Sequence, residues 1–380
     1  MKNSVPTITL LGNNSGRNLG DAAILSAIMD SISKELPDAK FYVPSIAPKW
    51  IMRHYGERYN VQALDAMPWT GSIRLLGIPT LWAIARSDAA LICDGIIFGK
   101  KFFNPAFNFL ITLFFLAPWA KLVGCKLICH NCGIGPFPEF GSKWAAKVVM
   151  NLSDRISLRE RESEAVAKAL GVSKPIVVSG DAAFLNPVSS PQRAKEILNE
   201  EGCGIETPKM GINITSYMDT WLNQGERVSG KEAFLELLAT GIDSARKELA
   251  EPFEPIVFCT QPMDEDLCRA FAQRISARVI SNTKYLSHDI QAVMRECGLL
   301  MGMRFHSLVL ASAVNVPVIG LIYAPKVRGY LQFMNCKEYG LELAQITSEG
   351  LRETLKRAWQ ERAQLWERQK PYVDQQRANA

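Results

Sequence analysis

Short apolar runs alternate along the chain with longer segments that have the pattern of helices. Such runs are typical of buried strands, and their alternation with helices predicts parallel sheets joined by crossover helices. In the first part of the chain the predicted strands are Thr7–Leu11, Phe41–Val43, Ala89–Cys93, Lys126–His130, Arg155–Leu158 and Pro175–Val178. Helices are predicted from Asp21 onward and over Glu160–Leu170.

A second series of the same kind follows a proline-rich polar stretch, residues 186–192 (NPVSSPQ), which is the predicted linker. The pattern therefore predicts an α/β fold of two Rossmann-like domains that face a cleft, with residues 1–186 in one domain and 187–380 in the other. An amphipathic C-terminal helix is predicted to dock on the body through Leu351, Leu355, Trp359 and Trp366. The predicted strands of this second series are Met210–Thr215, Glu254–Cys259, Arg278–Ile280, Gly298–Met301 and Pro317–Ile322.

Composition narrows the class of protein. A chain of 380 residues with 48% hydrophobic and 21% charged residues can bury the cores of two domains and is not a disordered chain. The formal net charge is +5 and no dense run of lysine and arginine occurs, so nucleic-acid binding is not expected. A weak attraction to anionic substrates or to an anionic membrane surface is compatible with this charge.

The nine cysteines are an odd number, and several lie inside apolar runs. They predict buried thiols in a reducing compartment, and the N-terminus has no long apolar stretch of a signal peptide, so we expect a cytoplasmic protein. Cys125, Cys129 and Cys132 have the spacing of a radical iron–sulfur signature. Cluster ligands need a flexible loop, whereas Cys125 and Cys129 bracket a predicted strand, so we do not expect an iron–sulfur cluster. The four histidines are far apart in sequence, so no zinc-site spacing occurs and we expect no metal site. We also expect no cofactor.

Residues Pro105–Ala120 (PAFNFLITLFFLAPWA) are almost entirely apolar. The segment is shorter than the about 20 residues that a spanning helix needs. Two interpretations stay open, a buried core helix that leads into the next strand and a patch that docks peripherally on a bilayer.

Ligands of open α/β sheets bind at the carboxyl ends of the strands, so the loops there are the candidate sites. The loop of residues 12–21 is rich in glycine, which permits close approach of a ligand to the backbone. Asp21 is placed to cap the following helix, whose first amides suit an anion or sugar hydroxyls. The alternative is a tight turn between strand and helix with no ligand.

A second candidate follows the strand Gly298–Met301. Arg304 offers a planar fork for a phosphate or a carboxylate, and His306 opens a helix and is suited to acid–base work near neutral pH. Lys326 follows the next strand and is either a partner for phosphate or a solvated loop residue.

Three further residues also follow predicted strands. Arg159 supplies a cation in the first domain, and Asp94 is followed by Gly95. Asp264 is predicted to cap the next helix.

Taken together, these segments resemble the polysaccharide pyruvyl transferase family over about residues 8–335. Each motif alone is weak, but their order along the chain is fairly specific. The matching motifs are Asn18-x-Gly20-Asp21-x-Ala23-Ile24-Leu25, Asp94-Gly95, Gly133-Ile134-Gly135-Pro136, Ser157-Leu158-Arg159-x3-Ser163, Gly180-Asp181, Gln261 with Asp264, Gly302-Met303-Arg304-Phe305-His306-Ser307, Pro317 and Tyr323-Ala324-Pro325-Lys326.

The resemblance implies a GT-B-like fold, phosphoenolpyruvate as donor and co-substrate, and a glycan or lipid-linked saccharide as acceptor. The residues that it implies for catalysis are His306, Arg304 and Arg159. It implies donor binding by Arg159, Arg304, His306 and Lys326, and acceptor binding by Asn18, Gly20, Asp21 and Asp94.

The chain departs from the family pattern at three places. Ala324 stands where members commonly carry aspartate, which removes a polar contact to the acceptor or to Lys326. Glu160 occupies the position after Arg159, where members commonly carry a different acidic residue. Asn131-Cys132 precedes Gly133, where members usually have glutamine or glycine.

Two other functions fit the same architecture. One is a nucleotide-sugar glycosyltransferase or a sugar-nucleotide 2-epimerase, which would bind a uridine nucleotide, often with an acidic residue on the ribose. The acidic candidate here, Asp264, is placed early, and no clear ribose-binding glutamate occurs near the C-terminal helices. The other is an inactive scaffold in a glycan assembly complex, a reading that Ala324 favours and that the intact Arg304, His306 and Arg159 oppose.

Overall fold

The computed structural model describes residues 5–66, 77–104, 108–204, 206–216 and 230–380. The chain forms two compact units. Unit 1 consists of Met1–Gly16, Asp21–Asn186 and Gln376–Ala380, and unit 2 of Arg17–Gly20 and Pro187–Gln375.

Unit 1 is built on a parallel sheet of seven strands in the order β3-β2-β1-β4-β5-β6-β7. The chain moves outward from β1 in one direction and then, from β4, in the other, so β1 and β4 flank the switch point at which such sheets bind ligands. The strands are β1 (Thr7–Leu11), β2 (Lys40–Ser45), β3 (Val61–Asp65), β4 (Ala89–Cys93), β5 (Lys126–Cys132), β6 (Arg155–Leu158) and β7 (Val177–Val178).

The helices of unit 1 connect these strands. Buried residues of β4 and β5 pack against the inner faces of the two helices that follow those strands, α4 and α5, and form a continuous apolar core. The helices are α1 (Leu19–Glu35), α2 (Pro48–Tyr55), α3 (Ile78–Ala85), α4 (Leu110–Leu122), α5 (Ser142–Leu152) and α6 (Arg161–Ala169).

Unit 2 has a parallel sheet of six strands in the order β10-β9-β8-β11-β12-β13. The strands are β8 (Lys209–Asn213), β9 (Glu254–Cys259), β10 (Arg278–Ser281), β11 (Cys297–Gly302), β12 (Val318–Ile322) and β13 (Gly340–Glu342). The helices are α7 (Pro191–Glu200), α8 (Lys231–Glu248), α9 (Glu265–Arg274), α10 (Ser287–Met294), α11 (Phe305–Ser312), α12 (Pro325–Phe333), α13 (Ser348–Gln360) and α14 (Arg362–Asn379). The predicted α/β fold with two parallel sheets is therefore confirmed.

Two short segments do not belong to the unit that their position in the sequence predicts. Arg17–Gly20 packs with unit 2, where the Leu19 amide donates to the Thr260 carbonyl over 3.0 Å. Gln376–Ala380 packs with unit 1, where the Gly180 amide donates to the Asn379 carbonyl over 3.0 Å.

The predicted linker ends early because Pro191 begins α7. The Ser190 hydroxyl accepts a hydrogen bond from the Arg193 amide over 3.2 Å and caps this helix. A proline in the first turn needs no amide donor, so the segment that looked like a loop continues as a helix.

The single C-terminal helix that the pattern predicts is two helices, with a break at Glu361. Leu351, Leu355 and Trp359 of α13 are buried, and a Cβ added at Gly241 of α8 would lie 2.9 Å from Leu351. This close approach docks α13 on α8. Trp366 lies on α14 and is only half-buried.

The described part of the apolar segment 105–120 forms most of α4, and residues 105–107 lie outside the described residues. Leu110, Leu113, Leu116 and Ala120 are buried in the core, as the core-helix interpretation predicts. Among the described residues, no helix combines the length and the apolar character that crossing a membrane requires.

Candidate functional site

In unit 2, Asn213 joins the carboxyl ends of three neighbouring strands. Its side-chain oxygen accepts from the Arg304 amide over 3.0 Å, and its side-chain nitrogen donates to the Phe258 carbonyl over 2.9 Å. Its backbone carbonyl accepts from the Met303 amide over 3.0 Å. Asn213 is fully buried at the end of β8, between β9 and β11, so it fixes the turn that carries Arg304.

The Arg304 guanidinium is held by Asp264. Its Nε and Nη2 atoms lie 2.7 and 2.6 Å from Asp264 Oδ2. The other carboxylate oxygen accepts from the amide and the hydroxyl of Ser216, over 2.9 and 2.7 Å, and from the Thr215 hydroxyl over 3.3 Å. Asp264 is fully buried and the Arg304 side chain is 13% exposed, so this charge-assisted pair orients the fork before any ligand arrives.

This arrangement corrects the prediction that Asp264 is an N-cap. The residue does stand at the N-cap position of α9, but its side chain makes no capping hydrogen bond. The carboxylate turns instead toward Arg304 because a buried guanidinium needs a charged partner more than a helix end needs a cap.

His306 lies in the first turn of α11 and covers Gly20. A Cβ added at Gly20 would overlap the imidazole ring, so only glycine fits at this position. The Gly20 amide donates to Asn18 Oδ1 over 2.9 Å, and the Asn282 side chain donates to the Arg17 carbonyl over 3.0 Å. The fold therefore places Gly20 against His306, with Asn18 hydrogen-bonded to Gly20, and all three residues belong to unit 2.

Asn18, and not Asp21, is the residue that caps α1, because the helix begins at Leu19 and not at Asp21. Asp21 lies within the first turn and is buried, and its carboxylate accepts a hydrogen bond from the Asn13 side chain. The two predicted acceptor residues Asn18 and Gly20 belong to unit 2, whereas Asp21 belongs to unit 1.

Lys326 lies at the carboxyl end of β12, which neighbours β11 in the sheet. It is exposed in the first turn of α12, so it is a helix residue, which removes the alternative of a solvated loop residue. Ala324 stands at the N-cap of this helix and offers no capping side chain.

In unit 1, Arg159 follows β6 and pairs with Asp181, which follows β7. The Arg159 Nη1 atom lies 3.2 Å from Asp181 Oδ2, and the two side chains are 14% and 5% exposed. Burial by itself lowers the pKa of Arg159, but the carboxylates of Asp181, Glu160 and Asp94 outweigh it and raise this pKa. The guanidinium is therefore a permanent cation in a partly dehydrated setting.

Glycines of two neighbouring strand ends make room for Arg159. A Cβ at Gly133 would lie 2.7 Å from its Nη2 atom, whereas a Cβ at Gly95 would lie 3.8 Å away. The Ser163 hydroxyl accepts from the Ile134 amide over 3.0 Å and donates to Glu160 over 3.0 Å, which fixes the segment after β5.

Asp94 lies at the end of β4, next to the switch point. Its φ angle is 69°, in the left-handed region that aspartate tolerates better than most residues do, and it is buried. Its charge acts on Arg159. Asp94, Arg159 and Asp181 are thus brought together at one edge of the unit 1 sheet.

Asp181 and Asp264 each hold an arginine, a role that the sequence pattern does not predict. The available signal is that both follow a predicted strand, Asp181 after Gly180 and Asp264 shortly after Gln261. All nine cysteines are buried thiols, as predicted. Within the described ranges no group of three or more His, Cys, Asp or Glu side chains is arranged to hold a metal ion.

Solved structures show the same fold. UDP-GlcNAc 2-epimerase from Methanocaldococcus jannaschii matches with a TM-score of 0.64 at 13% identity, over 92% of each chain. UDP-GlcNAc 2-epimerase from Neisseria meningitidis, bound to UDP-GlcNAc, matches with a TM-score of 0.63 at 11% identity, over 98% of this chain and 97% of that one. Heptosyltransferase II of Escherichia coli matches with a TM-score of 0.50 at 13% identity, over 94% of this chain and 99% of that one. At these identities the likeness shows the GT-B-like fold alone.

The sequence itself gives a family. The search of curated proteins returned no match for this chain. The family model described as polysaccharide pyruvyl transferase matches residues 18–325, which include every residue singled out above as a candidate ligand of donor or acceptor except Lys326. The chain belongs to the polysaccharide pyruvyl transferase family, and it is a transferase.

Proposed function

We propose that this protein transfers pyruvate from phosphoenolpyruvate to two hydroxyl groups of one sugar, in a cell-surface glycan or its lipid-linked precursor, and so forms a ketal. The observation that carries the proposal is the turn at the start of α11, where buried Asp264 orients Arg304 and where His306 lies beside Gly20. This turn lies within the residues that the family model matches.

The donor has a phosphate and a carboxylate on one small carbon frame. The fork of Arg304 matches either group with two parallel hydrogen bonds, and Lys326 adds a positive charge at the next strand end. We also propose Arg159 of unit 1 as a donor-binding residue, because its raised pKa keeps it charged at every physiological pH. No cofactor enters the scheme, in which phosphoenolpyruvate is a co-substrate.

The reaction converts the enol ester to a ketal without any change of oxidation state. The methylene carbon gains a proton, one sugar hydroxyl adds to the adjacent carbon, phosphate leaves with its bridging oxygen, and the second hydroxyl takes its place. Of the two protons that the hydroxyls lose, one replaces the proton given to the methylene carbon and the other leaves with phosphate. His306 is the proposed group that moves these protons, and Arg304 stabilises the charge of the departing phosphate.

For the acceptor we propose Asn18, Gly20, Asp21 and Asp94 as binding residues. Gly20 is in contact with His306, and Asn18 accepts a hydrogen bond from the Gly20 amide, so an acceptor hydroxyl bound at Gly20 can exchange a proton with this histidine. We propose a cytoplasmic protein at the inner face of the membrane, where a lipid-linked acceptor would be presented.

Calorimetric titration with phosphoenolpyruvate and with a panel of uridine nucleotides tests the donor. We expect phosphoenolpyruvate to bind wild type, to bind Arg304→Lys at least tenfold more weakly because the fork is lost, and to bind His306→Ala nearly as well as wild type. The matched control is Arg352→Ala, which removes an arginine from the surface of α13. Nucleotide binding without phosphoenolpyruvate binding would favour a glycosyltransferase or an epimerase, and unchanged affinity in Arg304→Lys would contradict the role of the fork.

A further inference from the structure

The helix α4 is apolar on the face that it turns away from the core as well as on the face that it buries. Phe115 is 46% exposed and Leu122 is 78% exposed, and Pro118 between them is also exposed. These positions recur every three to four residues and so form one outward stripe. A helix at the surface of a globular unit normally presents polar residues there, so this stripe indicates that something apolar covers it.

Aromatic residues of the adjoining segments extend this stripe. Phe103 is 63% exposed, Phe140 is 92% exposed and Trp144, in the first turn of α5, is 62% exposed. Phe103, Phe115, Leu122, Phe140 and Trp144 are called the α4–α5 patch from here on. Exposed apolar residues that occur singly are normal on a protein surface, but a cluster with several large aromatic side chains marks an interaction site.

Contacts among neighbouring residues hold the patch together. The Phe114 ring lies 5.4 Å from the Phe115 ring and 4.9 Å from the Trp144 ring, measured between centroids. The Glu139 carboxylate accepts hydrogen bonds from the amides of Lys101 and Phe102. This carboxylate ties the loop that carries Phe103 to the loop that carries Phe140, so the two tips are presented together.

The same stretch of chain carries the whole positive excess of the protein. Residues 95–152 contain six lysines, no arginine and one acidic residue, Glu139, which gives a formal net charge of +5. The other residues contain 37 basic and 37 acidic side chains and are neutral overall. Glu139 is engaged by backbone amides. Lys121 pairs with Asp154, just beyond the segment, over 2.6 Å, and this one pair still leaves the segment with a net positive charge.

We propose that the α4–α5 patch docks on the surface of an anionic lipid bilayer. Large aromatic side chains enter the boundary between headgroups and acyl chains, and lysines around them pair with anionic headgroups. A second copy of this chain fits less well, since a twofold interface would set the same patch against itself and bring two sets of lysines together.

The position of the patch in unit 1 suits a lipid-linked acceptor. The loops with Phe103 and Phe140 follow β4 and β5, so they leave the same edge of the sheet as Asp94 and Gly133. A bilayer under the patch would present a lipid-borne sugar near that edge. This last consequence rests on the proposed function, whereas the docking itself does not.

Co-sedimentation with vesicles tests the proposal on the full chain. Wild type should bind vesicles of phosphatidylcholine mixed with phosphatidylglycerol, and should bind vesicles of phosphatidylcholine alone much more weakly. Phe140→Ser with Trp144→Ser should weaken binding by about tenfold or more, since both side chains would lose their apolar contacts. Val177→Ser is the matched control, because Val177 is an equally exposed apolar residue of unit 1, in β7.

A second pair of variants tests the charge. Lys143→Glu with Lys147→Glu should abolish the preference for anionic vesicles and reduce the dependence of binding on salt. Calorimetry with phosphoenolpyruvate on the same variants should show unchanged affinity, which separates failure of docking from failure of the proposed function.

Three results would overturn the proposal. Wild type that stays in solution with anionic vesicles would do so, and so would patch variants that bind as well as Val177→Ser. Wild type that forms dimers by light scattering, dissociates on substitution of the patch and ignores vesicles would assign this surface to a second copy instead.

Discussion

The imidazole ring of His306 occupies the space in which a side chain at position 20 would begin. Gly20 in the first turn of α1 and His306 in the first turn of α11 are thus in direct contact, although 286 positions separate them in the sequence. Gly20 also donates its amide to Asn18, so the residue cannot shift without loss of the helix cap.

Gly20→Ala should therefore displace His306. Alanine favours a helix by about 1 kcal/mol over glycine, but the overlap with the ring should outweigh this gain and lower the free energy of unfolding by about 1–3 kcal/mol. Gly329→Ala is the control, because Gly329 lies inside α12 and a Cβ there meets nothing within 4 Å, so this variant should be stabilised by about 0.5–1 kcal/mol. Denaturation curves of the two variants should shift in opposite directions, and a shift in the same direction would disprove the overlap.

Removing Asp264 should leave the buried guanidinium of Arg304 without its negatively charged partner. Asp264→Ala is expected to lower the free energy of unfolding by about 3–5 kcal/mol, measured by denaturant titration. Replacing both partners, as in Asp264→Leu with Arg304→Met, should recover most of that stability because no buried charge remains. The double variant should still fail to bind phosphoenolpyruvate, and a double variant as unstable as Asp264→Ala would argue against the ion pair as the cause.

The room around Arg159 can be tested with two glycines at different distances from it. Gly133→Ala places a methyl group 2.7 Å from the guanidinium and should push it away from Asp181, at a cost of about 1–3 kcal/mol of stability. Gly95→Ala places its methyl group at 3.8 Å, an ordinary contact, and should change stability by less than about 0.5 kcal/mol. The measurement is the midpoint of thermal unfolding of both variants. Equal midpoints would contradict the described position of the Arg159 side chain.

An N-cap is missing at α12. Ala324 has the extended backbone of an N-cap residue, with φ −145° and ψ 149°, but no side-chain acceptor. Ala324→Ser should stabilise the protein by about 1 kcal/mol, because the hydroxyl can accept from an amide of the first turn. Aspartate, which the family commonly has here, would add charge that favours the helix N-terminus. A Ser variant with an unchanged unfolding midpoint would show that the aspartate of relatives has another role.

Acidic pH should lower the stability of unit 1 because His130 becomes protonated. Burial lowers the pKa of this residue, so the folded chain binds its proton less readily than the unfolded chain, in which histidine titrates near about 6.5. The contribution of neutral His130 to the free energy of unfolding is therefore fully present above about pH 6.5. It is lost as the pH falls from there to the lowered pKa. His130→Gln should flatten the dependence of the unfolding midpoint on pH between about 7 and 5. Parallel curves for the two proteins would assign the acid sensitivity to other groups.

Much of the sheet architecture could be predicted because buried parallel strands are continuous apolar runs. Ala89–Cys93, Arg155–Leu158 and Glu254–Cys259 are strands with the predicted bounds. Strand β3, by contrast, could not be predicted, since two of its five side chains are exposed at the edge of the sheet and leave no apolar run.

The arginines at the strand ends could be predicted, but not what holds them. Asp264 reaches Arg304 only because β9 and β11 both lie next to β8, an order of strands that the local pattern does not encode. A similar reason explains why α1 begins at Leu19 and not at Asp21. Both Asn18 and Asp21 are good caps in isolation, and the Leu19 amide is already taken by Thr260, a residue of a distant loop.

The discontinuity of unit 1 has a consequence for how the protein is made. The Asp181 amide donates to the Gln376 side chain, a partner that the ribosome adds 195 residues later. Asn131 likewise donates to the carbonyl of Ala380. All of α7 to α13 is therefore synthesised before Asp181, the partner of Arg159, receives this contact. The first 186 residues contain all seven strands of the unit 1 sheet but not the C-terminal residues that complete the unit, so we expect the arginine site to mature late in translation.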